Sequence, residues 1–275
     1  MKHSRKTTAV LALAALLGSI GSAAALEPST TDARTIMQAV REAQQVTRSM
    51  SRIRMSIQDP SGKRERVFST RVKRYDDSYK TLLLIEQPAD LHDTGFLTID
   101  YSTRARNDEQ WIYLPKLHRV SRLGDGGKAD SFVGSDFSIS DLAVAGSDVE
   151  DFDLKLLESS VKVGDEDCWL IETKPRTPAV RTQTGYDRTQ LWISKSKLFV
   201  TQFKGFLTDG KKVKYFKAAD VRNAQGVWTP HRVQMRTLLG NNVVSETLLE
   251  ILSVNNDAKE VVDSDFTVQR LGQGV

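Results

Sequence analysis

The chain has 275 residues, 39 of them Lys or Arg and 35 Asp or Glu, for a formal charge of +4 at neutral pH. Three of the basic residues, Lys2, Arg5 and Lys6, fall among the first 25 with no acidic residue beside them, so the remainder carries only +1 and lacks the clustered excess that a nucleic-acid footprint needs. The single cysteine, Cys168, excludes an intramolecular disulfide and any multi-cysteine metal site.

The first segment reads as an address and not as part of the fold. A positive start (Lys2, Arg5, Lys6) precedes an apolar run from Ala9 to Ile20 and then the small residues Ala23, Ala24 and Ala25, the pattern of a secretory signal cut before Leu26. A membrane anchor is the competing reading, but the run is about 12 residues where a spanning helix needs roughly 20. Cys168 lies far from the cut, so the new N-terminus would offer no thiol to acylate. The expected product is an exported protein without an integral membrane segment. Residues 26–275 contain neither a repeat nor a Pro/Gly/Ser-rich linker and are expected to form one domain.

One helix is expected between Thr31 and Ser49, because Ile36, Val40, Ala43 and Met50 recur at near-helical spacing, with Asp32 at its start and Arg48 near its end. Strands follow. Ile53, Met55 and Ile57 alternate up to the turn Asp59-Pro60-Ser61-Gly62, and Phe68, Thr70 and Val72 alternate on the return, with Glu65, Ser69, Arg71 and Lys73 on the opposite face. Leu82–Ile85, Phe96–Ile99, Trp111–Leu114 and Cys168–Ile171 are instead apolar on both faces, unlike a half-solvated antiparallel strand. Helices, a second sheet, a partner or a bound apolar ligand could cover the second face, and an ordinary sandwich core would give the same runs.

The segment from Trp111 to Leu142 is the most distinctive. Trp111 and Tyr113 point to one side of a strand, Ile112 and Leu114 to the other. After Pro115 come the flexible Gly124-Asp125-Gly126-Gly127 and the box Gly134-Ser135-Asp136-Phe137-Ser138-Ile139-Ser140-Asp141-Leu142. Ser138 and Asp141 are spaced as a variant capping box, which predicts a short helix running into Ala143, Val144 and Ala145.

The strand W-x-Y-L-P-x-L-x-R-V, the Arg122 behind it and the box G-S-D-F-S-x-x-D-L resemble the LolA-like family of outer-membrane lipoprotein-sorting proteins, in its longer branch associated with RND-type or MMPL-type exporters. The resemblance covers nearly all of residues 26–275, and Trp111–Leu142 carries its specific part. It implies a mainly β (α+β) fold: an incomplete antiparallel β-barrel closed by the N-terminal helix and a short helical lid around a hydrophobic site, with no cofactor, no metal and no catalysis. Under this reading Phe68, Ile85, Phe96, Trp111, Tyr113 and Leu114 line the cavity. Phe132, Gly134, Ser135, Asp136, Phe137, Asp141 and Leu142 form the lid loop. Arg119 and Arg122 sit inside the motif, where they would anchor Asp136 or Asp141. An exporter of the RND or MMPL type is the implied protein partner, and lipid or lipoprotein acyl chains are the implied ligand.

The rest of the chain offers little chemistry. Hairpins are marked by Gly164-Asp165-Glu166-Asp167, Asp209-Gly210, Asn223–Gly226 and Gly240-Asn241-Asn242. Cys168 sits in an apolar run and reads as an inert core residue. Gly205–Lys211 has the spacing of a phosphate-binding loop, but Lys212 stands where Ser or Thr should be, and the context is strand, turn, strand. His92, His118 and His231 show no metal-binding spacing, and no G-x-S-x-G elbow occurs. Basic groups at Arg64, Arg66, Arg71, Lys73 and Arg74, and at Lys116, His118, Arg119 and Arg122, read as solvated faces, or as contacts for anionic headgroups or an acidic transporter patch.

Three functions remain open. The first is a periplasmic carrier that shields an acyl-chain-bearing ligand during transfer. The second is an accessory subunit docking on an exporter, and the third a hydrolase of envelope lipids using Ser135 or Ser138. In each case the loop between Gly124 and Leu142 could be a gate or a fixed plug.

Overall fold

The computed structural model describes residues 26–102, 106, 108–124, 129–142 and 149–273. The signal-like segment 1–25 lies outside the described residues, as do Asp125, Gly126 and Gly127 of the glycine-rich stretch and Ala143, Val144 and Ala145 of the expected helix.

Thirteen strands form one antiparallel sheet, in chain order β1 (Arg48–Asp59), β2 (Gly62–Arg74), β3 (Ser78–Gln87), β4 (Gly95–Tyr101), β5 (Glu109–Leu114), β6 (Arg119–Arg122), β7 (Phe152–Val163), β8 (Glu166–Pro175), β9 (Tyr186–Ser194), β10 (Phe199–Leu207), β11 (Lys212–Ala224), β12 (Val227–Leu239) and β13 (Asn242–Asn255). Each strand follows its predecessor as a hairpin neighbour, except that the two meanders β1–β6 and β7–β13 are joined through β1 and β13. The free edges are β6 and β7, so the sheet is an open barrel, as expected of the incomplete barrel.

Turn chemistry sets the hairpins. Asp59 receives the Ser61 amide at 2.8 Å, and Asp209 receives the Lys211 and Lys212 amides at 2.8 and 2.9 Å. The second of these turns sits within the phosphate-loop look-alike and confirms it as a β10–β11 hairpin.

Helix α1 (Ala33–Ala43) begins where Asp32 accepts the Thr35 amide at 2.9 Å and ends at Gln44, short of the expected span. Met50 continues the apolar stripe only by coincidence of spacing; it belongs to β1, paired with Arg71, because the chain after Thr47 enters the sheet ladder. Ile36 and Val40 pack on Trp169, Ile171 and Ile193. The register carries that face from Ile171 through Leu191, Phe203, Phe216, Met235 and Thr247 to Ile57, which identifies it as the inner face along the whole sheet.

The doubly apolar strands are explained by two different covers. On the inner face, Leu83 and Ile85 join Met55, Ile57, Phe68, Met235 and Leu249 in a core that includes Phe132 and Phe137 from the β6–β7 connection. On the outer face, Leu82, Leu84, Leu97 and Ile99 lie beneath the C-terminal segment, which contributes Ala258, Val261, Phe266 and, from the short helix Val268–Leu271, Leu271. Lys73 and Tyr75 donate to Asp263, and the Arg71 guanidinium stands 4.0 Å from Asp265, so this strap is also held by charge.

Candidate functional site

Between the C-terminal end of α1, strands β1 to β4, the start of β12 and the end of β13 lies a cavity of about 260 Å³. Its walls are Ile53, Phe68, Leu83, Phe96, Leu249 and Ile251, with Val46, Val72, Val227 and Val254 toward one end and Phe132 and Ile139 of the β6–β7 connection at the other. The remaining lining is Gln44, Ser49, Ser51, Thr70, Thr81, Thr98, Thr229 and Asn256. Among the described residues no charged side chain lines it, although 27% of the chain is charged. The volume is slightly below the ~300–1,000 Å³ usual for small-ligand sites.

The β6–β7 connection forms one wall. Residues 130–139 bond to themselves: the Phe132 amide donates to Phe137 O at 2.7 Å, the Ile139 amide to Asp130 O at 3.1 Å, and Ser131 Oγ to Ser135 O at 2.6 Å. Gly134 at φ +78° is left-handed, a conformation open to glycine without strain; its neighbour Val133, at φ 43°, adopts it despite a branched Cβ. This arrangement turns Phe132 and Phe137 inward together. The Phe132 ring meets Phe96 and Phe68 edge-on, with centroids 5.1 and 5.8 Å apart.

Two carboxylates fasten the segment. Asp136 is buried and accepts from Thr237 Oγ1 at 2.5 Å, Thr247 Oγ1 at 2.7 Å and Ser245 Oγ, while its own amide donates to Thr247 Oγ1 at 2.9 Å. Asp141 closes the expected capping box: it accepts the Ser138 amide at 2.9 Å while its own amide donates to Ser138 Oγ at 3.1 Å. It also accepts from Tyr186 Oη at 2.9 Å and faces Lys214 Nζ at 3.1 Å. Burial, and then the Asp141 charge, hold the Tyr186 phenol well above its ordinary range, so it remains a donor. The last three residues of the box, Ser140–Leu142, form a 3-10 turn.

Phe68, Phe96 and Phe132 thus line one cavity together. Ile85 and Phe137 are buried in the core beside it, and Leu114 ends β5 outside its lining. Trp111 and Tyr113 require a correction. They lie on the outer face under the C-terminal strap, because alternation fixes which side chains share a face but not which face is inside. The anchoring expected of Arg119 and Arg122 falls instead to Thr237, Ser245 and Thr247 for Asp136 and to Lys214 and Tyr186 for Asp141. Arg119 is exposed, and Arg122 stacks 5.9 Å from the Trp111 ring. Gly134 and Ser135 serve the turn, the Ser135 hydroxyl bonding to Phe137 O at 3.3 Å. Ser138 Oγ pairs with Ser140 Oγ at 2.8 Å.

Sequence reasoning missed the hydroxyl-bearing lining. Its one signal was the periodic placement of Ser49 and Ser51 on β1 with Thr70 on β2, Thr81 on β3 and Thr98 on β4, each in step with apolar residues of the inner face. Among the described residues no group of His, Cys, Asp and Glu is placed to hold a metal ion, and no helix is long and apolar enough to cross a membrane. Cys168 is buried, which pushes its thiol up from the ordinary value.

A protein-family model described as "Uncharacterized protein" matches residues 77–273. Among solved structures, a DUF1329 family protein from Desulfovibrio piger is similar with a TM-score of 0.77 at 23% identity, over 87% of this chain and 97% of that one. An outer membrane lipoprotein-sorting protein domain from Vibrio parahaemolyticus gives 0.76 at 22% identity, over 87% and 98%. A LolA superfamily protein from Nitrosomonas europaea gives 0.66 at 18% identity, over 88% and 99%. No curated protein matches the sequence.

Proposed function

Since the chain belongs to a LolA-like family, we propose that it is a non-catalytic periplasmic carrier that shields an acyl-chain-bearing lipid or lipoprotein on the inner face of its sheet. The observation that carries this reading is the cavity itself, uncharged and walled by Ile53, Phe68, Leu83, Phe96, Phe132, Leu249 and Ile251. Burial of an alkyl chain there supplies the driving force. Each methylene removed from water contributes about 0.8 kcal/mol, so about ten methylenes give on the order of 8 kcal/mol before ordering costs.

Two features favour a binding role. The wall formed by residues 130–142 is pinned through Asp136 and Asp141, so the apolar surface is shaped before a ligand arrives, which lowers the ordering cost of binding. The hydroxyls of Ser135 and Ser138 are committed to turn contacts, which speaks against the hydrolase reading. The signal-like segment 1–25 supports a periplasmic address.

The test is native mass spectrometry, with lipid extraction, of protein recovered from the periplasm of its own cells. Co-purifying acyl-chain lipids are expected. Protein that is consistently empty would overturn the carrier and favour a subunit that only docks on an exporter.

A further inference from the structure

The cavity is graded along the strand direction, and the register shows how. One row across the inner face reads Ile53 on β1 and Phe68 on β2. Two residues along, the row is Ser51, Thr70, Leu83 and Phe96, with Ser51 Oγ and Thr70 Oγ1 satisfying each other at 2.6 Å. Two further along, it is Ser49, Val72, Thr81, Thr98 and Gln110, crossing β1 to β5. Hydroxyls and amides therefore accumulate toward the end that also carries Val46, Val72, Val227 and Val254, while the Ile53–Phe68 end is apolar.

That last row is incompletely satisfied. Ser49 Oγ donates to Asn256 Oδ1 at 2.8 Å, but Thr81 Oγ1 and Gln110 Oε1 are buried with no hydrogen-bond partner. Gln110 is only 4% exposed, and its cross-strand neighbour Thr98, like Thr81, lines the cavity. Buried polar atoms ordinarily find partners, so an orphan in the cavity wall, Thr81 Oγ1, with a second orphan behind the wall in the same row, Gln110 Oε1, marks a place where a ligand supplies them.

The chemistry of the missing group follows from the orphans. Gln110 Oε1 accepts, so a donating ligand satisfies it; Thr81 Oγ1 can donate or accept. A carboxylate or phosphodiester offers acceptors alone and would bring a negative charge to a cavity whose lining, among the described residues, holds no cation, so that desolvation is uncompensated. A hydroxyl donates and accepts without charge. We propose that the ligand, within the carrier reading above on which this rests, is a neutral lipid whose hydroxylated head lies at the Thr81–Gln110 row and whose chain runs toward Phe68 and Phe132.

The test compares binding of monomyristoylglycerol, myristate, myristoyl lysophosphatidylglycerol and tetradecane to residues 26–275 by native mass spectrometry and competitive titration at about pH 8. Monomyristoylglycerol is expected to bind at least about tenfold more tightly than myristate or the lysophospholipid. Thr81→Val and Gln110→Leu should each shrink that preference several-fold. Both variants remove an unpartnered polar atom, so they are expected to fold, and their melting midpoints check this. Equal or tighter binding of either anion, or a preference untouched by both variants, would overturn the neutral-head assignment while leaving the carrier reading intact. Failure of all four probes to bind would overturn both.

Discussion

The Asp141 carboxylate and the Lys214 ammonium face each other at 3.1 Å with side chains 11% and 12% exposed, tying the β6–β7 connection to β11. The pair lies about 70 residues apart in sequence and is completed by the Tyr186 hydroxyl on β9, so a wall of the cavity is fastened to strands of the opposite meander. Breaking one partner leaves the other charge stranded in a dry setting. Lys214→Met is expected to cost roughly 2–4 kcal/mol, below a fully buried pair because some solvent still reaches it. Denaturant unfolding measures this, and Asp141→Asn combined with Lys214→Met should cost less than the sum of the single changes.

Asp136 holds the same segment from the other side without a cation. Three hydroxyls serve its carboxylate, so Asp136→Ala strands Thr237 Oγ1 and Ser245 Oγ together and removes charge-assisted bonds worth about 1.5–3 kcal/mol each in isolation. The expected outcome is selective release of residues 130–142, read as protease cleavage within that segment well before the sheet unfolds. Uniform cleavage throughout the chain would contradict it.

Phe132→Ala separates the cavity wall from the outer-face core. Deleting the ring, packed on Phe68 and Phe96, is expected to destabilise by about 3–5 kcal/mol and to enlarge the cavity, so that longer acyl chains bind better relative to shorter ones. Trp111→Ala should also destabilise, by removing an aromatic packed under the C-terminal strap, yet leave the chain-length preference unchanged. Titration with a homologous series of acyl probes distinguishes the two.

Acid should loosen the strap. The hydrogen bond from Lys73, followed by that from Tyr75, lowers the Asp263 carboxyl below its ordinary 3.8. A group depressed in the folded state contributes stability that is fully present above the unfolded value and lost as pH falls through the folded one. The contribution therefore disappears from about pH 4 downward, and Asp263→Asn should abolish that pH dependence. Fluorescence of Trp111, which packs against the strap's cluster, reports the change against the background of the other tryptophans.

Cys168 offers a check on the whole sheet. It is fully buried, and burial raises its thiol, so the reactive thiolate is scarce in the native state. A thiol reagent should label it only through global unfolding, and more slowly in mildly acidic buffer, where even the unfolded chain holds little thiolate.

The hairpins were legible because their causes are local: Asp59, Asp209 and the Gly240-Asn241 turn act within a few residues of themselves. The capping box of Ser138 and Asp141 was legible for the same reason. What covers a strand is a long-range fact. Trp111 and Tyr113 alternate as expected, but the residues above them come from Val261, Phe266 and Leu271, about 150 positions later and with no period to advertise a packed face. The partners of Asp136 on β12 and β13 are equally remote, whereas Arg119 and Arg122 belong to the motif that carries the family resemblance, and membership of a sequence motif does not say which residues meet in space. Cavity threonines such as Thr81 and Thr98 look like ordinary strand residues until the register places them opposite one another.

The pairing of β1 with β13, Ile53 against Ile251, joins positions roughly 200 apart, and such distant partners make for slow folding. The wall that encloses the cavity is therefore the last to be closed. Until the final strand has found the first, the two meanders leave Phe68, Leu83 and, on β13, Leu249 exposed to water and to other chains. Early truncation, or a weakened β13, should therefore appear first as aggregation during synthesis, ahead of any defect in ligand affinity.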